Sequence, residues 1–423
     1  MNKTIAILVV IGLQIAFLGS VATPSFAAAD QSAVVAGIMR DVTELGDILQ
    51  KKHAIFEPSA ISTNITTAII KAVDPYAEAL TKEQADRREE ELGGIFYGVG
   101  LKITIKEKLP AILEVVKGGA AEAEGLKAGD IIEKIGDQKT EGMALAEIVS
   151  KLRGAKDETI QITVRAGEKK QETRECKLKR TLVQMPVTGV TEEWPQQIYY
   201  LKINGLYENS GVQIGTQLVS WAETKDAGII LDLRDANGGD LQSAADVAGL
   251  LQPAGAAILN IRDGNGSVLT TYQGKAEKSI NAPVMVLINQ TTCGASEALA
   301  AALGTCKGVL LIGAPTRGDD CVREFLPLSD GRIIHIATRR IEIKNGVSYH
   351  GTGVNPHVSV IQTNAPVKTE EIAGDEENNG PFVKVSEQEK LNRALLRRTK
   401  GDAVLQRAAD ILLGLKALNI KGR

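Results

Sequence analysis

At 423 residues, with 43% apolar and 24% charged side chains, the chain has the makeup of a globular protein of roughly two to four domains, not of a disordered or fibrous one. Its 49 lysines and arginines against 52 aspartates and glutamates leave a formal charge of −3, which offers no electrostatic footprint for nucleic acid or anionic lipid. Forty-two glycines against only 2 Trp, 7 Tyr and 6 Phe point to a loop-rich multidomain α+β chain.

The chain opens with Lys3, an apolar run from Ile5 to Leu18 and small residues ending Ser25-Phe26-Ala27. That is the pattern of a secretory signal peptide over residues 1–27, and it predicts an exported protein, periplasmic or extracellular. An uncleaved signal would instead anchor the chain to a membrane. The run is shorter than the ~20 apolar residues that span a bilayer. Four cysteines, Cys176, Cys293, Cys306 and Cys321, thus sit where oxidation is permitted. Their spacing matches no zinc site, and neither a metal nor a cofactor is expected.

Val34, Ile38, Val42, Leu45 and Leu49 recur at helical steps, followed by Ile65, Ile69, Ile70 and Val73. Residues 28–94 therefore read as a helical N-terminal domain, with Asp74-Pro75 ending the second helix. Over residues 95–181 five short strand-like runs alternate with glycines around one amphipathic helix, Ala144 to Leu152, the makeup of a peptide-binding β-barrel. The phrase from Gly118 to Ile132 closely resembles the core segment of PDZ domains in bacterial proteases.

Over residues 182–365 strands and helices alternate. Gly228 to Leu233 and Val284 to Ile288 are continuous apolar runs, as strands buried on both faces require, and helices follow at Leu241 to Leu251 and Ala295 to Gly304. This is a βα-repeating core. An acidic linker (366–385) and C-terminal helices (386–423) complete the chain.

Helical leader, PDZ module and α/β core in that order resemble the C-terminal processing, or tail-specific, serine peptidase family. Asp232-Leu233-Arg234-Asp235-Ala236-Asn237-Gly238-Gly239, Asn289 to Glu297, Gly313 to Gly318 and Gly351 to Pro356 each resemble a family phrase. The family uses a serine nucleophile and a lysine general base, a pairing that works because a desolvated lysine loses its proton near neutral pH. The resemblance places the serine at Gly294 and the lysine at Asp319, with the family's spacing kept. It places Arg323 where the family has glutamine and Asn237 where it has proline. Asp319-Asp320 sets two like charges where a neutral amine is wanted, and these would repel a peptide's terminal carboxylate.

The resemblance also implies oxyanion-hole elements at Gly238, Gly239 and Ala295; equally, these are a tight turn and a helix start. Ser296 and Cys293 are the substitute nucleophiles to weigh. Ser296 lies two residues into the helix, turned away from position 294. Cys293 sits at the helix N-terminus but would need one of His53, His335, His350 or His357. In the family arrangement Cys293 and Cys321 flank the two positions that must meet, which implies a Cys293–Cys321 disulfide.

Tyr97-Gly98-Val99-Gly100-Leu101 matches the PDZ loop that presents amides to a C-terminal carboxylate, and the next strand offers an edge for β-augmentation. The module binds peptide or protein C-terminal tails, or packs only within its own chain. The expected function is that of an exported family homologue without serine-peptidase catalysis, a tail binder, scaffold or regulator; the alternative is an active endopeptidase with a displaced nucleophile.

Overall fold

The computed structural model describes residues 28–51, 58–106, 108–166, 173–274, 280–344, 346, 348–360, 395 and 397–420. The signal segment, the acidic linker and residues 386–394 of the expected C-terminal helices lie outside the described residues. Two compact units are resolved, one up to Thr66 and one from Thr67 onward. In the first, the helix Ala28–Lys51 leaves Ile38, Met39, Val42 and Leu45 exposed. The expected helical domain over 28–94 is thus divided. Its later part lies in the larger unit, where Asp74 does follow the last residue of the helix Pro58–Val73.

The peptidase-like core is a six-stranded sheet in the order Thr188–Trp194, Ile198–Ile203, Gly228–Asp232, Val284–Ile288, Val309–Gly313, Val358–Ser359. All neighbours are parallel except the first pair. Alternation along each strand explains why the central runs are apolar throughout. Ile229, Leu231, Val284 and Val286 face one layer, packed with Ile214 and Leu218, Ala244 and Ala248, and Ala298 and Leu299 of the helices Ser210–Ala222, Leu241–Gly249 and Ala295–Gly304. Ile230, Met285 and Leu287 face the other, covered by Leu405, Ala408 and Leu412 of the helix Ala403–Ala417. Ile230 is fully buried, and its truncation to alanine would cost about 2–5 kcal/mol.

A second, antiparallel sheet brings together Glu78–Leu80, Ile333–Ile343, Ala257–Arg262, Val268–Gln273 and Cys321–Pro327. It has no counterpart in the sequence reading, because its strands are only partly buried and carry charges that blur the period-two pattern.

The PDZ module is an antiparallel sheet in the order Leu101–Lys106, Leu109–Val115, Ile131–Ile135, Thr159–Arg165, Thr173–Lys179, with Gln138–Lys139 beside the third strand. The helix Leu145–Leu152 packs Ile148 and Leu152 into a core with Ile132, Ile162 and Leu178. A two-stranded pairing of Ile95–Gly98 with Thr181–Gln184 brings the two ends of the module together.

Candidate functional site

The helix Ala295–Gly304 starts beyond the carboxyl end of the strand Val284–Ile288, the end at which open α/β sheets place their ligands. Its N-cap, Gly294, has φ 60° and ψ −136°, a backbone state that side-chain-bearing residues rarely adopt. A Cβ at this position would lie 2.5 Å from the carbonyl oxygen of Gly238. The turn at Asn237–Gly238 is held there from both sides. It pairs in parallel with Gly205–Leu206, Cys293 N donates to Ala236 O at 3.1 Å, and Ser296 Oγ donates to Asn237 O at 2.6 Å. The group of Gly238 nearest position 294 is thus an acceptor, where an oxyanion hole presents donors.

Glu297, fully buried one turn into the helix, ties this helix to the segment carrying Asp319. Its carboxylate accepts from Thr316 Oγ1, from Gly318 N at 2.6 Å and from Asp319 N at 3.1 Å. Burial outweighs these donors and pushes its carboxyl above the ordinary carboxylate range. Through Glu297 the first turn of this helix and the Asp319 segment are joined.

Asp319 does not stand as one of two repelling charges. Arg323 Nη1 and Nη2 donate to its two oxygens at 2.6 and 3.0 Å, while Arg323 Nε and Nη2 donate to Asp74 at 2.7 and 2.8 Å. Asp74 also accepts from Tyr76 N and Ala337 N, each at 3.0 Å. The result is an Asp74–Arg323–Asp319 ion triad whose side chains are 3%, 11% and 11% exposed. Burial opposes charge on Asp74, but the hydrogen bonds from Arg323 prevail and hold its carboxyl below the usual range. The same bonds, against the same desolvation, raise Arg323 above an ordinary guanidinium.

Asp320 is buried and turns elsewhere: His350 Nδ1 lies 2.7 Å from its Oδ1, and Ser348 Oγ donates to its Oδ2 at 3.4 Å. The like-charge argument from sequence is corrected accordingly, since each carboxylate has its own cationic or hydrogen-bonding partner.

Neither substitute nucleophile is set up for attack. Ser296 is fully buried with its hydroxyl committed to a backbone carbonyl. Burial raises the Cys293 thiol, Arg317 lowers it, and Glu297 and Asp319 add to the rise; the net direction is opposite to that of an activated cysteine. The described histidines are engaged elsewhere. His335 stacks on Phe325, His350 meets Asp320, and His357 Nδ1 accepts from Leu311 N.

The predicted Cys293–Cys321 disulfide is not formed; Cys293 and Cys321 are both free thiols. Cys321 Sγ instead lies 3.7 Å from Asp320 Oδ1, and burial together with Asp319 and Asp320 pushes its thiol up to about 12.

In the PDZ module, Gly100 has φ 76°, and a Cβ there would lie 3.2 Å from Gly119 Cα, so the loop Tyr97 to Leu101 needs glycine to turn against the neighbouring segment. The strand Leu101–Lys106 is at the edge of its sheet, and Leu101 and Ile103 are only partly buried.

The sequence reading missed the partnership of Arg323 with Asp74 and that of His350 with Asp320. An arginine four residues after Asp319 is a local signal; Asp74, 249 residues earlier, gives none.

Comparison with known proteins agrees with this architecture. The PDZ domain family matches residues 88–165, and peptidase family S41 matches residues 197–360. The chain is 30% identical over 288 residues to the carboxy-terminal processing protease CtpA of Bacillus subtilis, covering 67% of this chain and 60% of that protein. It is 24% identical over 288 residues to a probable CtpA-like serine protease of Staphylococcus haemolyticus, covering 68% and 57%. Among solved structures, the photosystem II D1 C-terminal processing protease is similar at 26% identity, covering 75% of this chain and 86% of that one with a TM-score of 0.43. The chain thus spans less than two thirds of the length of these curated relatives. It carries a PDZ module and an S41 peptidase domain, the make-up of a class of PDZ-containing peptidases. Within that class it matches the C-terminal processing, or tail-specific, protease family. Among the described residues no helix is long and apolar enough to cross a membrane.

Proposed function

We infer that this protein is an exported homologue of the C-terminal processing peptidases that lacks serine-peptidase catalysis and acts through its PDZ module as a binder of peptide C-termini, in a scaffolding or regulatory role. One observation carries the reading. At the position that the resemblance gives to the nucleophile, the residue is Gly294, and the space its side chain would fill is taken by the Gly238 carbonyl oxygen, 2.5 Å from an added Cβ. Support comes from the lysine position, where Asp319 is engaged with Arg323 in a buried triad. Export rests on the pattern of residues 1–27.

Tail binding is supported by what the PDZ module keeps: the glycine-turned loop from Tyr97 to Leu101, and an edge strand whose free side can pair with an extended peptide. The test uses the whole chain. Incubation with unfolded proteins bearing apolar C-termini is expected to yield no fragments, while a peptide with a free apolar C-terminus binds and its amidated form loses most of that affinity. Cleavage that disappears on Ser296→Ala or Cys293→Ala would overturn the first half. Equal binding of the two peptides would overturn the second.

A further inference from the structure

We propose that Asp320, Cys321 and His350 form a binding site for a divalent transition-metal ion of borderline softness, zinc foremost, with Asp320 Oδ1, the Cys321 thiolate and His350 Nδ1 as protein ligands. The inference is independent of whether the chain is a peptidase. Sequence spacing hides the site, because the histidine comes from a turn far along the chain while the other two ligands are adjacent.

Three donor atoms, a carboxylate oxygen, a sulfur and an imidazole nitrogen, lie within 4.8 Å of one another. This donor set suits zinc and is a poor one for magnesium or calcium, which take oxygen. With Zn–O, Zn–N and Zn–S bonds of about 2.1, 2.0 and 2.3 Å, tetrahedral geometry sets the O···S edge at about 3.6 Å and the O···N edge at about 3.4 Å. The observed Asp320 Oδ1 to Cys321 Sγ separation is 3.7 Å. His350 Nδ1, at 2.7 Å from the same oxygen, must withdraw by about 0.7 Å as its hydrogen bond is exchanged for a metal bond, a shift open to a half-exposed side chain on a turn. The Cys321 thiol proton passes to solvent as the metal–sulfur bond forms.

The frame is already built. Ile341 N donates to the Asp320 carbonyl at 2.7 Å, and Cys321 begins a strand in register with Arg340. The turn carrying His350 is fastened by Gly351 N to Gly318 O at 2.8 Å. Ser348 Oγ reaches the second oxygen of Asp320, the kind of outer contact that orients a ligating carboxylate.

A second observation points the same way. Tyr349, adjacent to His350 in the chain, is 2% exposed, and its hydroxyl is a buried polar group without a hydrogen-bond partner; the charges acting on it are Glu297 first, then Asp320, Asp319 and Cys321. Buried hydroxyls in folded proteins are normally paired. A water bound to the ion would be one source of that partner. Three protein ligands leave a coordination position open, and the half-exposed His350 side chain marks the solvent side of the site.

The experiment uses the full chain, reduced and stripped with chelator, titrated with Zn²⁺ against a chromophoric chelator and with Co²⁺ followed by absorption. One equivalent should bind, and Co²⁺ should give a thiolate-to-metal charge-transfer band. Cys321→Ser should abolish the band, His350→Ala should weaken Zn²⁺ binding at least tenfold, and Cys293→Ser should leave both unchanged. Should Cys321→Ser fail to fold, His350→Ala decides, since its side chain is half exposed. Absence of binding, a band that survives Cys321→Ser or follows Cys293, equal competition by Mg²⁺ or Ca²⁺, or a Cys293–Cys321 bridge in non-reducing peptide maps would each overturn the proposal.

Discussion

Replacing Asp319 by lysine, the residue type the family resemblance places there, sets a second cation against Arg323 in a space shaped for a carboxylate. The wild-type guanidinium donates two bonds to Asp319 and two to Asp74, and all three side chains are nearly buried. Removing one partner of a buried pair costs about 3–5 kcal/mol, because the remaining charge stays desolvated. The lysine adds repulsion, about 4 kcal/mol at 4 Å for an effective dielectric constant of 20, which its long stem relieves in part by bending toward solvent. Asp319→Lys should therefore destabilise by at least 4 kcal/mol.

Arg323→Gln in the same chain removes the opposing cation while Asp74 keeps the amides of Tyr76 and Ala337. The double variant should then recover at least 2 kcal/mol relative to Asp319→Lys alone. Arg323→Gln by itself leaves two carboxylates unpaired and should cost about 3–5 kcal/mol. Urea unfolding followed by fluorescence reads all four corners of the cycle, since Trp194 and Trp221 are both buried in the core that unfolds. A loss below about 1 kcal/mol for Asp319→Lys, or a coupling energy below about 0.5 kcal/mol, would refute the view that Arg323 and Asp319 depend on each other.

Gly294→Ser should lower stability by about 1–3 kcal/mol from its positive φ alone, with further strain from the 2.5 Å approach to Gly238 O; combined with Asp319→Lys it should yield no hydrolysis of unfolded substrates, and measurable cleavage would contradict the occluded geometry. Gly100→Ala, strained at φ 76° and close to Gly119, should weaken binding of a free-carboxylate peptide at least fivefold by titration while the core stays folded; unchanged affinity would remove the loop from the binding site. Asp74 and Asp232 are held below the ordinary carboxylate range, so their contribution is complete above about pH 4 and is lost as pH falls through their folded-state values. Asp74→Asn should accordingly be less stable at pH 7 and lose less on acidification than the wild type. His335 is held below its usual value by burial and by Arg88 and Arg323, so its unfolded form takes up a proton first as pH drops. Stability should decline as pH falls through about 6.5, and His335→Gln should flatten the curve between about pH 7 and 5; an unchanged slope would count against a neutral buried imidazole.

Much of the core was legible in the sequence because its signals are local. The apolar runs Gly228–Asp232 and Val284–Ile288 need burial on both faces, and the helix Ala295–Gly304 is bounded by glycines at its two ends, so strand and helix fall where periodicity puts them. The PDZ phrase and the four peptidase phrases likewise carried the family, since each combines turn glycines with fixed neighbours. What the tertiary structure decided is how the charged residues are partnered. Asp319 and Asp320 read as two bare charges that would repel a peptide carboxylate, because nothing nearby in sequence shows that Asp74, 249 residues before Arg323, completes an ion triad, or that a turn delivers His350 to Asp320. The expected Cys293–Cys321 bridge failed for the same reason, since the direction of Cys321 follows from how the strand it begins is pinned to the strand Ile333–Ile343. Periodicity records which face of an element meets the core, whereas electrostatic partnership depends on where distant segments of backbone finally meet.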